Sequence, residues 1–185
     1  MLKLILNKKY NPLFESDARY FIITGGRGSG KSFAATVFLT LLTMTKGIRI
    51  LFTRFTMTSA HLSIIPEFLE KIGLLGFDEV FSINKAEVLN TSNQSDILFR
   101  GIRTSAGNQT ASLKSLQGIS TWVLDEAEEL IDENIFDTID LSIREKDIQN
   151  RIILILNPVT KEHWIYDRFF ESKGVEGGFN GVKDN

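Results

Sequence analysis

Eight residues, Gly25-Gly26-Arg27-Gly28-Ser29-Gly30-Lys31-Ser32, stand directly behind the apolar run Tyr20-Phe21-Ile22-Ile23-Thr24 and ahead of Phe33-Ala34-Ala35-Thr36-Val37-Phe38-Leu39-Thr40-Leu41-Leu42. This order of strand, glycine-rich turn and helix constrains the fold more than any other feature of the chain. The glycines let the backbone turn its N–H groups inward around an anion, Lys31 can reach the β- and γ-phosphates of a nucleotide, and the Ser32 hydroxyl can ligate Mg²⁺. The helix that follows presents its positive end to the phosphates. A turn selected only for flexibility has no need of Lys-Ser at this spacing. The expected nucleotide-binding residues are Gly25, Gly26, Arg27, Gly28, Ser29, Gly30, Lys31, Ser32 and Phe33.

At 185 residues the chain has the length of one ordinary domain. Its 43% hydrophobic and 24% charged content is that of a globular protein. The apolar stretches are broken by Thr, Lys or Arg before a bilayer could be spanned, and the N-terminus lacks a signal-peptide layout, so a soluble intracellular chain with no membrane partner is expected. Absence of cysteine removes disulfides and thiolate metal sites. His61 and His163 have no ligand partner at metal spacing and read as surface or packing residues. The formal net charge of −2 gives no sign of a nucleic-acid footprint. The local basic groups Lys46, Arg49, Arg54 and Arg100, Arg103, Lys114 read as solvated faces.

Apolar runs of strand length alternate with helical patterns, which predicts a mostly parallel sheet covered by helices on both faces. Ile48 to Thr53 is the second such run; Met57 to Ile72 is helical in pattern, with Pro66 expected to start or kink a turn. Three short runs, Val80 to Ile83, Ala86 to Leu89 and Asp96 to Arg100, are separated by Asn84-Lys85 and by Asn90-Thr91-Ser92-Asn93, which predicts a small antiparallel hairpin addition. Thr104 to Gly118 reads as a loop with a short helix near Ser112 to Leu116. Two buried strands, Ser120 to Leu124 and Arg151 to Leu156, flank an expected helix from Asp132 to Glu145. Residues 172–185, rich in glycine, read as a linker or frayed end after a domain spanning 1–171.

Trp122-Val123-Leu124-Asp125-Glu126 is an apolar strand that ends in two carboxylates, the pattern of a Walker B motif. Asp125 is expected to hold Mg²⁺, which prefers hard oxygen ligands in octahedral geometry, and Glu126 to polarise the attacking water. The same pair also suits the capped start of a helix. Glu128 and Glu129 are read as solvated. Asn157-Pro158 ends the last strand at the edge where ligands gather in open α/β folds, so Asn157 is either a phosphate sensor or a turn cap. Arg27 either neutralises charge on the transferring phosphoryl group or points to solvent.

The ordered set of these motifs resembles the large terminase subunits of tailed bacteriophages. The resemblance runs through Arg19-Tyr20, the cradle with its Arg27, Thr53-Arg54, Phe99-Arg100-Gly101, Leu113-Lys114-Ser115, Asp125-Glu126-Ala127-Glu128-Glu129, Asn157-Pro158 and His163-Trp164. It implies a P-loop NTPase of the additional-strand, catalytic-Glu type: a Mg²⁺-dependent ATPase that drives double-stranded viral DNA into a procapsid. Implied partners are DNA, the portal protein, a small terminase subunit and further copies in a ring, with a monomer as the isolated state and the host cytoplasm as location. It assigns Glu126, Lys31 and Arg27 to catalysis, Ser32 and Asp125 to the metal, and Asn157 to a coupling motif. Arg100, Arg103 and Lys114 become candidates for a residue acting on a neighbouring subunit. Lys114 occupies the place where some relatives carry that arginine, and a lysine cannot fork two phosphate oxygens. Family members carry a C-terminal nuclease domain with acidic metal ligands. This sequence ends in its glycine-rich tail before one, so an excised or truncated ATPase domain without nuclease activity is expected. The acidic run from Asp125 also resembles the box of two-lobed helicases, and a nucleotide-gated assembly module without significant turnover is the non-enzymatic alternative.

Overall fold

Eight strands form a single sheet in the order β1-β8-β7-β2-β5-β4-β3, with β6 paired to the far end of β5. The strands are β1 (Tyr20–Thr24), β2 (Arg49–Thr56), β3 (Phe81–Ile83), β4 (Glu87–Asn90), β5 (Asp96–Thr104), β6 (Gly107–Asn108), β7 (Thr121–Asp125) and β8 (Arg151–Leu156). The helices are α1 (Pro12–Glu15), α2 (Lys31–Leu42), α3 (Ala60–Leu75), α4 (Glu133–Asp140) and α5 (Trp164–Phe169). The structure is a computed structural model and describes residues 4–57, 60–104, 107–108, 113, 115–176 and 181–182.

Neighbouring strands β1, β8, β7, β2 and β5 are all parallel. Their C-terminal ends therefore share one edge. Alternation of side chains along each strand divides the core in two. Phe21, Phe52, Val123 and Ile153 face α2 and α3, where they meet Ala35, Phe38, Leu39, Phe68 and Ile72. Leu51, Trp122, Leu124, Ile152 and Leu154 face the other way, toward Phe136 and Ile139 of α4 and Ile165 of α5. β7 is buried along its whole length, as a central strand covered on both faces must be. β8 lies between the glycine-loop strand β1 and β7, and is the added strand of the expected class. β3 pairs antiparallel with β4 and β4 antiparallel with β5, as the hairpin signals require.

Several boundaries differ from the sequence reading. α3 runs through Pro66 without a break. Pro66 is exposed while Ile64, Ile65, Phe68 and Ile72 are buried, and this packing outweighs the one backbone bond that proline removes. The helix expected over 132–145 ends at Asp140. There Arg19 donates to the carbonyls of Asp140 (3.0 Å) and Ile143 (3.2 Å), and Tyr20 Oη donates to Asp140 Oδ2 at 2.7 Å. Arg19 and Tyr20, at the entry to β1, thus take the helix end, a long-range contact invisible to local pattern. β5 continues to Thr104 and turns back as β6, where a loop was expected. Of the short helix expected near 112–116, Ser112 and Lys114 lie outside the described residues; Leu116 N–H bonds the carbonyl of buried Leu113. Glu171–Lys173 forms one 3₁₀ turn inside the expected tail. No helix among the described residues is long and apolar enough to cross a membrane.

Candidate functional site: a nucleotide cleft at the sheet edge

Because β1, β8, β7 and β2 are parallel neighbours, the residues that follow each of them meet at one place. A cleft of about 380 Å³ there is lined by Arg27, Gly28, Ser29, Gly30, Lys31, Ser32 and Phe33 after β1, Asp125 and Glu126 at the end of β7, and Asn157 after β8. The two distant halves of the motif are thus assembled by topology alone.

Gly28 and Gly30 hold φ at 75° and 83°, the left-handed region open to glycine, and Gly30 caps α2. Lys31, Ser32 and Phe33 form the first turn, so their amides have no acceptor within the helix. A Cβ at Gly25 would lie 3.0 Å from Ser29 Oγ, so a side chain there would have to displace that hydroxyl. Ser29 Oγ is itself enclosed without a hydrogen-bond partner. The Lys31 ammonium donates to the carbonyls of Gly25 and Gly26 (3.1 Å for the latter) and to Asn157 Oδ1 at 3.4 Å. From outside the motif, Tyr10 reaches in and donates from its hydroxyl to the Ser29 carbonyl at 2.9 Å.

Asp125 is held by Arg54 of β2: Nη2 lies 2.6 Å from Oδ2 and Nε donates to the same oxygen at 2.8 Å. Arg54 Nε is 3.5 Å from Glu126 Oε2. Burial pushes the Glu126 carboxyl above its ordinary value, with Arg54 opposing and the Asp125, Glu129 and Glu128 charges adding. Glu126 has φ 55° and ψ 46°, a left-handed conformation that costs a non-glycine residue roughly 1–2 kcal/mol. That turn aims its side chain off the strand axis. Among the described residues no cluster of three His, Asp or Glu could hold a metal by itself. The oxygen donors Ser32 and Asp125 suit Mg²⁺, which binds through one or two protein ligands together with substrate phosphates.

Two residues, Arg54 and Glu128, depart from the sequence reading. Arg54, read as part of a solvated basic face, is the partner of both acids. Its signal was a charge at the C-terminal end of an otherwise buried parallel strand. Glu128, read as solvated, lines the cleft; its Oε1 accepts from Asn157 Nδ2 at 2.6 Å and its Oε2 is enclosed without a partner. Asn157, left open between sensor and cap, lies in the cleft between Lys31 and Glu128. Arg27 is exposed on the cleft lining. Arg100 and Arg103 do not line it. Arg100 Nη1 donates to the carbonyls of Phe99 (2.7 Å) and Ala86 (3.3 Å). Arg103 borders a separate hollow with Phe55, Glu129, Ile131, Asp132 and Ile135. Lys114 lies outside the described residues. His163, read as a surface or packing residue, is a hydrogen-bonded helix cap: its Nδ1 accepts from Ile165 N–H at 3.2 Å.

This sheet order and cleft define a P-loop NTPase fold. The phage terminase large subunit model matches residues 17–181, and the chain belongs to that family. No curated protein sequence matches it. The large terminase of a thermophilic bacteriophage superposes with a TM-score of 0.71 at 11% identity, covering 90% of this chain and 42% of that one. The same protein has been solved in complex with ADP. The ATPase domain of the Thermus phage P74-26 large terminase gives 0.66 at 19% identity, over 95% of this chain and 73% of that one. The bacteriophage Phi-29 viral genome packaging motor assembly gives 0.62 at 16% identity, over 90% and 51%. The chain spans about two fifths of the length of the thermophilic phage's large terminase.

Proposed function

We propose that this chain is the ATP-hydrolysing engine of a viral DNA-packaging motor, residues 1–171 forming the ATPase domain and 172–185 a linker. The observation that carries the reading is the convergence of the glycine cradle, Asp125, Glu126 and Asn157 in one cleft. Family membership and the ADP complex of a relative support it.

The amides at the start of α2 and the Lys31 ammonium would bind the phosphates of ATP, and Ser32 and Asp125 would hold Mg²⁺, which when bound would supply neutralisation of phosphate charge. Arg54 competes with a metal for Asp125, so it has to yield that carboxylate or share it. Glu126, displaced from the strand axis by its left-handed backbone, takes a proton from the attacking water; its raised pKa improves it as a base. Arg27 faces the cleft and is the in-chain candidate to stabilise transferring charge. Arg100 and Arg103, outside the cleft, act only if presented to a neighbouring copy.

Double-stranded DNA, the portal, a small terminase subunit and a ring of copies are the proposed partners, met in the host cytoplasm. The packaging assembly of Phi-29 supports the ring. No nuclease activity is expected of these residues. The test is Mg²⁺-dependent ATP turnover against protein concentration for the native chain and Glu126→Gln. Specific activity that rises with concentration and disappears in the variant supports a motor ATPase completed by a neighbour. Nucleotide binding with no turnover at any concentration, with DNA and portal supplied, removes the enzymatic reading.

A further inference from the structure

We propose that Glu128 is a positioning residue that links the nucleotide cleft to helix α5, holding Asn157 with its carboxylate and His163 with its main-chain carbonyl. The proposal rests on the reading of the cleft as an ATP site.

The chain of contacts is continuous and each member is oriented. Asn157 accepts from Lys31 Nζ at 3.4 Å through Oδ1 and donates through Nδ2 to Glu128 Oε1 at 2.6 Å. Only the amide oxygen can face an ammonium and only the amide nitrogen can face a carboxylate, so the side chain has one orientation. His163 Nδ1 accepts from Ile165 N–H, which leaves the proton on Nε2, 3.1 Å from the Glu128 carbonyl. Two residues on, the Leu130 carbonyl accepts from Trp164 Nε1 at 2.6 Å. The 3₁₀ turn at Ala127–Glu129 is therefore fastened to the first turn of α5, and Trp164 packs against Phe136 with ring centroids 4.8 Å apart.

Two features give this chain two arrangements. The Lys31 ammonium spends its three protons on Gly25, Gly26 and Asn157, and the contact with Asn157 is the longest. A phosphate that claims Lys31 releases Asn157 first. Glu128 has a second, enclosed and unpartnered oxygen, Oε2, so its carboxylate can turn to keep or change its hold on the Asn157 amide. Such a shift at Glu128 moves the carbonyls that hold His163 and Trp164. Spatial continuity alone does not establish coupling, so the test reads the far end directly.

Tryptophan emission is recorded while Mg²⁺ and ATP are titrated into the full chain, and ATP binding is measured separately by calorimetry. The difference between native protein and Trp164→Phe assigns the signal to Trp164 rather than buried Trp122. The expected result is an ATP-dependent shift in Trp164 emission that is lost in Glu128→Ala and restored in Glu128→Gln, which keeps an acceptor for Asn157, while ATP still binds all three. His163→Phe breaks the lower contact without touching the cleft and is expected to lose the shift too. A shift that persists in Glu128→Ala and His163→Phe, or native protein that binds ATP with no shift, overturns the link and leaves the ATP site standing. Failure of native protein to bind ATP overturns the underlying reading, and this one with it.

Discussion

Arg54 Nη2 lies 2.6 Å from Asp125 Oδ2, joining the ends of two adjacent parallel strands across the floor of the cleft. The Asp125 side chain is only 8% exposed, so the ion pair is largely removed from water. In such a setting the loss of one partner costs more than the pair is worth, because a charge is left enclosed. Arg54→Met is expected to destabilise the fold by about 3 kcal/mol at neutral pH. Combining it with Asp125→Asn should restore most of that loss. Denaturant midpoints of the two single variants and the double variant decide it; additive losses would show that the residues do not act as a pair.

Glu126 provides a prediction in both rate and stability. Burial raises its carboxyl above the ordinary value of 4.5, and a base works only when ionised. The acid limb of ATP turnover against pH should therefore fall above that ordinary value. Glu126→Gln is expected to reduce turnover about 10²- to 10⁴-fold with ATP binding retained. For stability, the folded state binds this proton more tightly than the unfolded one, so the ionised carboxylate is a burden at neutral pH that vanishes below the unfolded value. Glu126→Gln should thus be more stable than native protein at pH 7, by a margin that closes as the pH drops toward 4. An equal margin at every pH would point away from the carboxylate.

Asn90 is fully buried and lies on β4, yet it reaches across to Thr43, the residue that caps the C-terminus of α2, as well as to nearby Ser92. Nδ2 donates to the Thr43 carbonyl at 3.1 Å, and Oδ1 accepts from Ser92 N–H (3.0 Å) and Oγ (2.6 Å). Asn93 Nδ2 donates to the carbonyls of Thr43 and Met44, and Ser95 Oγ to that of Thr45. The hairpin thereby supplies donors to the carbonyls of Thr43, Met44 and Thr45, where the chain leaves α2. Asn90→Ala removes bonds on both sides and is expected to cost about 1–3 kcal/mol. Thermal unfolding measures it, and the nucleotide cleft, remote from this contact, should bind ATP as before.

The sequence exposes the parts of this protein whose signal is local. Gly25 to Ser32, the apolar strands and the two acids after Leu124 each declare themselves within a few residues, and parallel topology brings them together. The bonds of Asn90 to Thr43 and of Arg19 to Asp140 have no local signal, because the partners lie 47 and 121 residues away. Arg54 and Glu128 were misread for a related reason. Charge is ordinarily a sign of solvent, and only the strand-end position of Arg54 and the packing of the turn after β7 turn these two into members of the cleft. Pro66 shows the reverse case, a strong local signal outweighed by the buried face of α3.

Tyr10 yields the last prediction. It precedes every motif by which the cleft was read, is nearly buried, and donates to the Ser29 carbonyl within the cradle. The hydrogen bond fixes one peptide of a loop whose amides must all point inward to receive phosphate. Tyr10→Phe keeps the ring in the core cluster it belongs to, so the fold should lose only about 1 kcal/mol, the net worth of one hydrogen bond. The cradle becomes less ordered before binding, and that ordering is then charged to the ligand. ATP affinity is expected to fall by about five- to tenfold, as a loss of about 1 kcal/mol requires, with KM rising and kcat less affected. Calorimetric titration of ATP into the two proteins, alongside steady-state turnover, separates the effects. Unchanged affinity with lowered stability would make Tyr10 a packing residue and no more.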